Sequence, residues 1–147
     1  IERAAIRTFQ NFRWQQMPNA LQPKTPDGKT TYPADVWQEL RLSSKSHWDI
    51  PIVVAGNAIH FIVAHPTPPV FDGPEDRNGK RNHDEIRLLR DYVCREFDGS
   101  YIVDDAGRRG PLPAGELFVI AGDLNADPFD GDGLHAGIRS LLESPSV

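Results

Sequence analysis

The sequence predicts an α/β fold, and three segments carry that prediction. Residues 58–64 (Ala-Ile-His-Phe-Ile-Val-Ala) and 117–121 (Leu-Phe-Val-Ile-Ala) are apolar on both parities except at His60. That is how strands covered on both faces are written. Between them, residues 82–97 set Ile86, Leu89, Val93 and Phe97 on one helical face and Arg87, Arg90 and Arg95 toward solvent.

The two strands end in polar groups. The second breaks at Gly122 and delivers Asp123 and Asn125 to its carboxyl end. A carboxylate and an amide two residues apart at the mouth of a sheet can hold a divalent cation or orient a phosphate. The first ends at His65, and Pro66 then blocks continuation, since proline has no amide hydrogen for a ladder. Strands that are parallel neighbours would bring His65, Asp123 and Asn125 to one edge, where open sheets bearing helices bind ligands.

The remaining elements follow in order. Residues 1–16 read as a helix with Ala5, Ile6, Phe9 and Phe12 near one stripe, and 18–33 as a polar connector with an Asp27-Gly28 turn. Residues 37–42 read as a short strand or a bridging turn. Residues 52–55 form a strand joined to 58–64 by a Gly56-Asn57 hairpin turn. A long, proline-rich loop covers 66–81. Asn82 then caps the helix, with Glu85 three residues on as in a capping box. Gly99 ends it, 104–115 is a charged turn region, and a last helix covers 134–142.

A length of 147 residues suits one domain, and the formal net charge of -5 argues against an all-over basic surface for nucleic acid. It leaves room for a local basic groove, or for a site whose cation supplies the positive charge. The single cysteine, Cys94, excludes an internal disulfide and a cysteine metal cluster, and its place in a helical pattern predicts a buried, inert thiol. No apolar run approaches membrane-spanning length. The chain opens at Ile1 without an initiator Met, as when a signal peptide is removed or never included. Its opening inside one helical pattern and ending soon after another reads as a piece of something longer.

Gly122-Asp123-Leu124-Asn125 after an apolar strand, with an earlier strand ending in His65 and a helix between, resembles the endonuclease/exonuclease/phosphatase superfamily. Two further stretches bring it closer to the branch found in secreted bacterial proteins. They are Leu42-Ser43-Ser44-Lys45-Ser46-His47-Trp48-Asp49-Ile50-Pro51 and His65-Pro66-Thr67-Pro68-Pro69-Val70-Phe71-Asp72-Gly73-Pro74-Glu75-Asp76. The matching motifs run roughly from Phe9 to Asp132.

The resemblance implies a four-layer α/β/β/α sandwich of two sheets, like that of DNase I, and a Mg²⁺-dependent (or Mn²⁺- or Ca²⁺-dependent) phosphoester hydrolase. It implies that His65 contacts the scissile phosphate, that Asp123 positions or activates the attacking water, and that Asn125 orients the phosphate. It also implies that Asp123 and Asn125 together can hold a cation. The substrate would be a phosphate ester: nucleic acid, a phospholipid headgroup or a small phosphoester. The location would be extracellular or periplasmic. The superfamily's principal metal-binding glutamate belongs on an earlier strand, and its closing Asp-His pair belongs after Val147. Glu39 stands too close to the Lys45-Ser46-His47-Trp48 segment to be that glutamate. Residues 1–147 are thus expected to be one partial domain, the central portion of an enzyme, inactive alone. The competing expectation is a catalytically silent relative that binds a phosphorylated ligand or a protein partner.

Each candidate has a plainer reading. Asp123 and Asn125 can form a turn whose side chains bond to backbone amides. A calcium loop is excluded, because Pro128 takes the obligatory glycine position and Leu134 that of the bidentate glutamate. Lys45 and His47 can contact substrate phosphate or lie in a solvated turn. Arg81 and Asn82 are weaker substrate contacts, with Arg77, Lys80 and Arg81 expected to pair inside their own acidic loop. Trp48 is expected in the core, Phe71 as a buried loop anchor, and His60 as a hydrogen-bonded interior or sheet-face residue.

Overall fold

A computed structural model describes Ile1 and residues 3–147. Its strands are β1 (Arg7–Thr8), β2 (His47–Val54), β3 (Asn57–Ala64) and β4 (Leu117–Ala121). Its helices are α1 (Ala34–Glu39), α2 (Arg77–Val93) and α3 (His135–Leu142). The strands form one mixed sheet in the order β1-β2-β3-β4, antiparallel except for the parallel pair β3–β4. The chain is α/β as expected, and the two apolar runs are parallel neighbours.

β2 begins at His47, earlier than expected, and runs through Pro51. Proline is tolerated there because β1 pairs only with Trp48 and Asp49, so β2 is an edge beyond that point. The hairpin turn is Ala55-Gly56 rather than Gly56-Asn57. Both residues have positive φ, 51° and 83°, as a two-residue turn matched to strand twist requires.

The amino-terminal segment is not a helix. It is mostly extended, with single 3₁₀ turns at Arg3–Ala5 and Trp14–Gln16. Tertiary contacts override its helical spacing: the Asp105 carboxylate accepts from Thr8 Oγ1 (2.6 Å) and the Gln10 and Asn11 amides (3.0 and 2.8 Å). Phe9, Phe12, Trp14 and Met17 all reach the core from this irregular path. Trp37 lies on the short helix α1 instead of a strand, packing on Trp14 with ring centroids 5.1 Å apart.

One sheet face is covered. Ile62 and Ala64 of β3 meet Ile86 and Leu89 of α2 and Ile138 of α3. Helices α2 and α3 approach closely at Gly137, where a Cβ would stand 3.1 Å from His83. The other face carries Trp48, Ile50 and Ile52 from β2, opposite Val63, Phe61 and Ile59 from β3, which in turn face Ala121, Val119 and Leu117 of β4. No helix or second sheet among the described residues lies over it, and Trp48, Val119 and Leu117 are exposed.

Helix α2 starts five positions before the expected Asn82. Its early start is supported from outside, by Asp72 Oδ2 accepting the Asn78 amide at 2.6 Å. Asn82 and Glu85 are therefore interior helix residues, both buried. No helix is long and apolar enough to cross a membrane among the described residues.

Candidate phosphate-handling site

The site is built where β3 and β4 end. Register pairs Val63 with Ala121, so His65 and Asp123 each stand two residues beyond the last pair that joins β3 to β4. Continuing side by side demands glycine at 122. Its φ is 136°, and a Cβ there would lie 1.9 Å from the Ala64 carbonyl oxygen. An open cleft of about 690 Å³ results, lined by Lys45, Trp48, His65, Gly122 and Asp123, with Gln10 at its side. Thus Lys45, His65 and Asp123 share one depression, all three exposed to solvent.

Asn125 stands just behind. It is held at φ 49° with its Nδ2 donating to the Pro66 carbonyl at 3.1 Å and its amide donating to Asp123 Oδ1 at 3.0 Å. Of the turn foreseen for this pair only the Asp123 half is present. The Asn125 side chain bonds to a carbonyl rather than an amide, and so joins the β4 loop to the β3 loop. With Nδ2 committed, Asn125 offers a ligand its Oδ1. Asp123 and Asn125 together are hard oxygen donors of the kind Mg²⁺, Mn²⁺ and Ca²⁺ take. Their chemistry fits such a cation, but their number falls short of a complete site. No group of three or more His, Cys, Asp or Glu suited to a metal occurs among the described residues.

Three sequence-predicted contacts lie elsewhere. His47 is 2 % exposed and faces α2, with its Nε2 donating to the Glu85 carbonyl at 3.2 Å. Burial lowers its pKa to about 4, so it is neutral at pH 7 and cannot serve as a phosphate contact. Strand alternation explains the placement: Lys45 precedes β2, and His47 and Asp49 point inward while Trp48 points out. Arg81 is spent on the chain itself, donating Nε to Leu42 O and Nη2 to Arg41 O, both at 2.7 Å. Asn82 is buried and bonded to backbone carbonyls.

Other side chains also depart from expectation. Phe71 anchors nothing: it is 93 % exposed with φ 61°. Trp48 lines the cleft instead of filling the core. Arg77 and Lys80 do pair within their loop, to Glu75 Oε1 and Glu75 O. His60 is a bonded sheet-face residue, its Nδ1 2.7 Å from Asp49 Oδ1, and Asp49 also accepts from Tyr92 Oη at 2.6 Å. Cys94 is a buried free thiol whose pKa burial raises.

No curated protein and no solved structure gives a significant match. The model of the Endonuclease/Exonuclease/phosphatase family matches residues 1–146. That family's members are generally hydrolases acting on phosphate esters, nucleases among them, and the chain belongs to it.

Proposed function

We propose that this chain supplies the phosphate-handling half of a metal-dependent phosphoesterase that cleaves its substrate by in-line attack of water. One observation carries the reading: Lys45, His65 and Asp123 share the cleft at the ends of two parallel strands. Phosphoryl transfer asks mainly for positioning and for neutralisation of oxygen charge. Lys45 attracts the anionic ester. His65, at the tip of β3, donates a hydrogen bond to a phosphoryl oxygen as its charge grows. Asp123 accepts a proton or hydrogen bond from the attacking water, and Asn125, whose free Oδ1 can only accept, would orient the phosphate through a shared cation or bridging water. A bound Mg²⁺ or Mn²⁺, held in part by Asp123 and Asn125, would supply further charge neutralisation.

The domain in this proposal extends beyond residues 1–147. A second sheet covers the bare apolar face, and a further glutamate and an Asp-His pair complete the cleft. Support comes from the uncovered face and from Asp123 standing as the one exposed carboxylate among the described residues that line the cleft. Nucleic acid, a phospholipid headgroup and a small phosphoester all present the group this cleft handles. An extracytoplasmic location rests on the likeness to the secreted branch.

Hydrolysis of bis-p-nitrophenyl phosphate by the full-length protein, with Mg²⁺ or Mn²⁺ and with EDTA, tests the reading. Cation-dependent release that vanishes in Asp123→Ala is expected. Release that persists in Asp123→Ala would place the chemistry elsewhere. No release with any cation, but retained binding of inorganic phosphate, would favour a silent ligand-binding relative.

A further inference from the structure

We propose that Asn82 and Glu85, one turn apart on α2, are the positioning residues of the cleft, jointly fixing the three loops that carry Lys45, His65 and Asp123. The catalytic consequence rests on the phosphoesterase reading; the geometry does not.

Glu85 is fully buried, and each of its carboxylate oxygens takes a backbone amide from a different loop. Ser44 N donates to Oε1 at 3.0 Å, and Thr67 N donates to Oε2 at 2.6 Å. Ser44 precedes Lys45, and Thr67 lies two residues after His65. The two loops also touch directly, Thr67 Oγ1 donating to Ser44 Oγ at 2.9 Å. Asn82, 1 % exposed, extends the same clasp to the third loop. Its Nδ2 donates to Thr67 O and Leu124 O, both at 2.9 Å, with Asn125 O at 3.3 Å. Leu124 adjoins Asp123.

The polarity of each member is dictated by what it holds. Two loop amides need acceptors, and Glu85 provides two. Loop carbonyls need a donor, and Asn82 provides an amide while its own Oδ1 has no protein partner. A buried loop amide or carbonyl deprived of its partner is costly, so these bonds select one loop arrangement. Burial raises the Glu85 pKa, opposed by the Thr67 and Ser44 donors and by the charge of Arg81. The side-chain bonds of this pair go to the cleft loops alone. Catalytic positioning is sensitive on the ångström scale, and this clasp sets the relative placement of the three groups.

Asn82→Asp and Glu85→Gln, both isosteric, reverse one polarity each and are made in the full-length protein. Backbone hydrogen exchange is followed over residues 41–48, 64–70 and 121–127, beside kcat and KM on bis-p-nitrophenyl phosphate with Mg²⁺. Exchange at Ser44 and Thr67 is expected to quicken by about tenfold in Glu85→Gln, with α2 itself unchanged. In both variants kcat should fall by about tenfold to a hundredfold, with KM moving far less. Unchanged loop exchange overturns the clasp. Quickened exchange with unchanged kcat overturns the positioning role. If the unmutated protein shows no cation-dependent hydrolysis, the phosphoesterase reading fails separately, and exchange alone decides whether the clasp orders the cleft. Should both variants fail to fold, exchange in the unmutated protein decides: Ser44 and Thr67 amides as slow as those inside α2 are expected, and exchange at the rate of a free loop overturns the clasp.

Discussion

Gly122 runs so close beside Ala64 that a Cβ on the glycine would stand 1.9 Å from the Ala64 carbonyl oxygen. This near-contact is what lets β4 keep alongside β3 to its end, so that Asp123 emerges next to His65. The oxygen belongs to the backbone of a central strand and cannot swing away. Gly122→Ala is therefore expected to cost about 3 kcal/mol or more of stability and to part the two strand ends. Urea unfolding measures it, and a midpoint equal to that of the unmutated protein would contradict the account.

His65 is placed to work on charge that develops during reaction. Under the proposed function, His65→Ala lowers kcat by about a hundredfold while KM changes little, the pattern of a lost transition-state donor. Lys45→Ala, by contrast, weakens capture of the anionic ester and shows mainly in KM. Steady-state kinetics at pH 7 separates the two, and equal KM effects from both would remove the distinction drawn between them.

His47 makes stability depend on pH. Its folded pKa lies near 4 because burial penalises the imidazolium, against 6.5 when unfolded. Above pH 6.5 the ring is neutral in both states and full stability is present. As pH falls from 6.5 to about 4, the unfolded chain gains a proton that the folded chain refuses, and about 3 kcal/mol is lost. Below that the contribution is flat. His47→Phe should remove this slope between pH 6.5 and 4. The readout is the difference between denaturation curves of the two proteins across that range, and parallel curves would count against a neutral buried ring.

Arg7 ties the first strand to a loop nearly a hundred residues on. Its Nε donates to Asp104 Oδ2 at 2.9 Å, and its other nitrogens reach the Gly110 and Arg108 carbonyls at 2.9 and 3.0 Å. The Asp104 side chain has no exposure. Arg7→Ala strips that carboxylate of one of its two guanidinium partners and should cost about 3 kcal/mol. Arg7→Lys restores the charge but not the fork, and should recover only part of the loss. Thermal melts of the three proteins would show this order or refute it.

Ala55 occupies a left-handed position, φ 51°, in the β2–β3 turn, where an alanine is strained. Ala55→Asn should stabilise the hairpin by about 0.5 to 1 kcal/mol, because asparagine tolerates that conformation. A melting temperature that drops would mean the turn is not of this type.

The parts of the fold legible in the sequence were those set by long apolar runs and strong breakers. β3, β4, their polar ends and α3 all stand where hydrophobic pattern, Gly122 and Pro66 put them. The parts that misled were those where one distant side chain decided local geometry. Nothing near residues 1–16 announces that Asp105 will take the Gln10 and Asn11 amides and open the helix. Nor does the sequence near Asn82 show Asp72, six residues before Asn78, accepting that amide and supporting a helix start at Arg77, which turns a cap into a buried clasp. Of the candidate site, Lys45, His65 and Asp123 were readable because each ends or precedes a strand. His47 lies elsewhere because alternation overrides its place in the motif: with Asp49 it marks the inward parity of β2, leaving Trp48 outside.

The bare sheet face governs how residues 1–147 behave when handled by themselves. Nine apolar side chains in register, with β4 a free edge beside them, form a patch that water penalises and a second chain can relieve. Solubility is then a matter of concentration: dilute preparations should stay dispersed and bind a hydrophobic dye such as ANS, while concentrated ones cluster. A charged residue at Val119, at the centre of β4, should raise the concentration at which clustering begins without disturbing the helices behind the sheet.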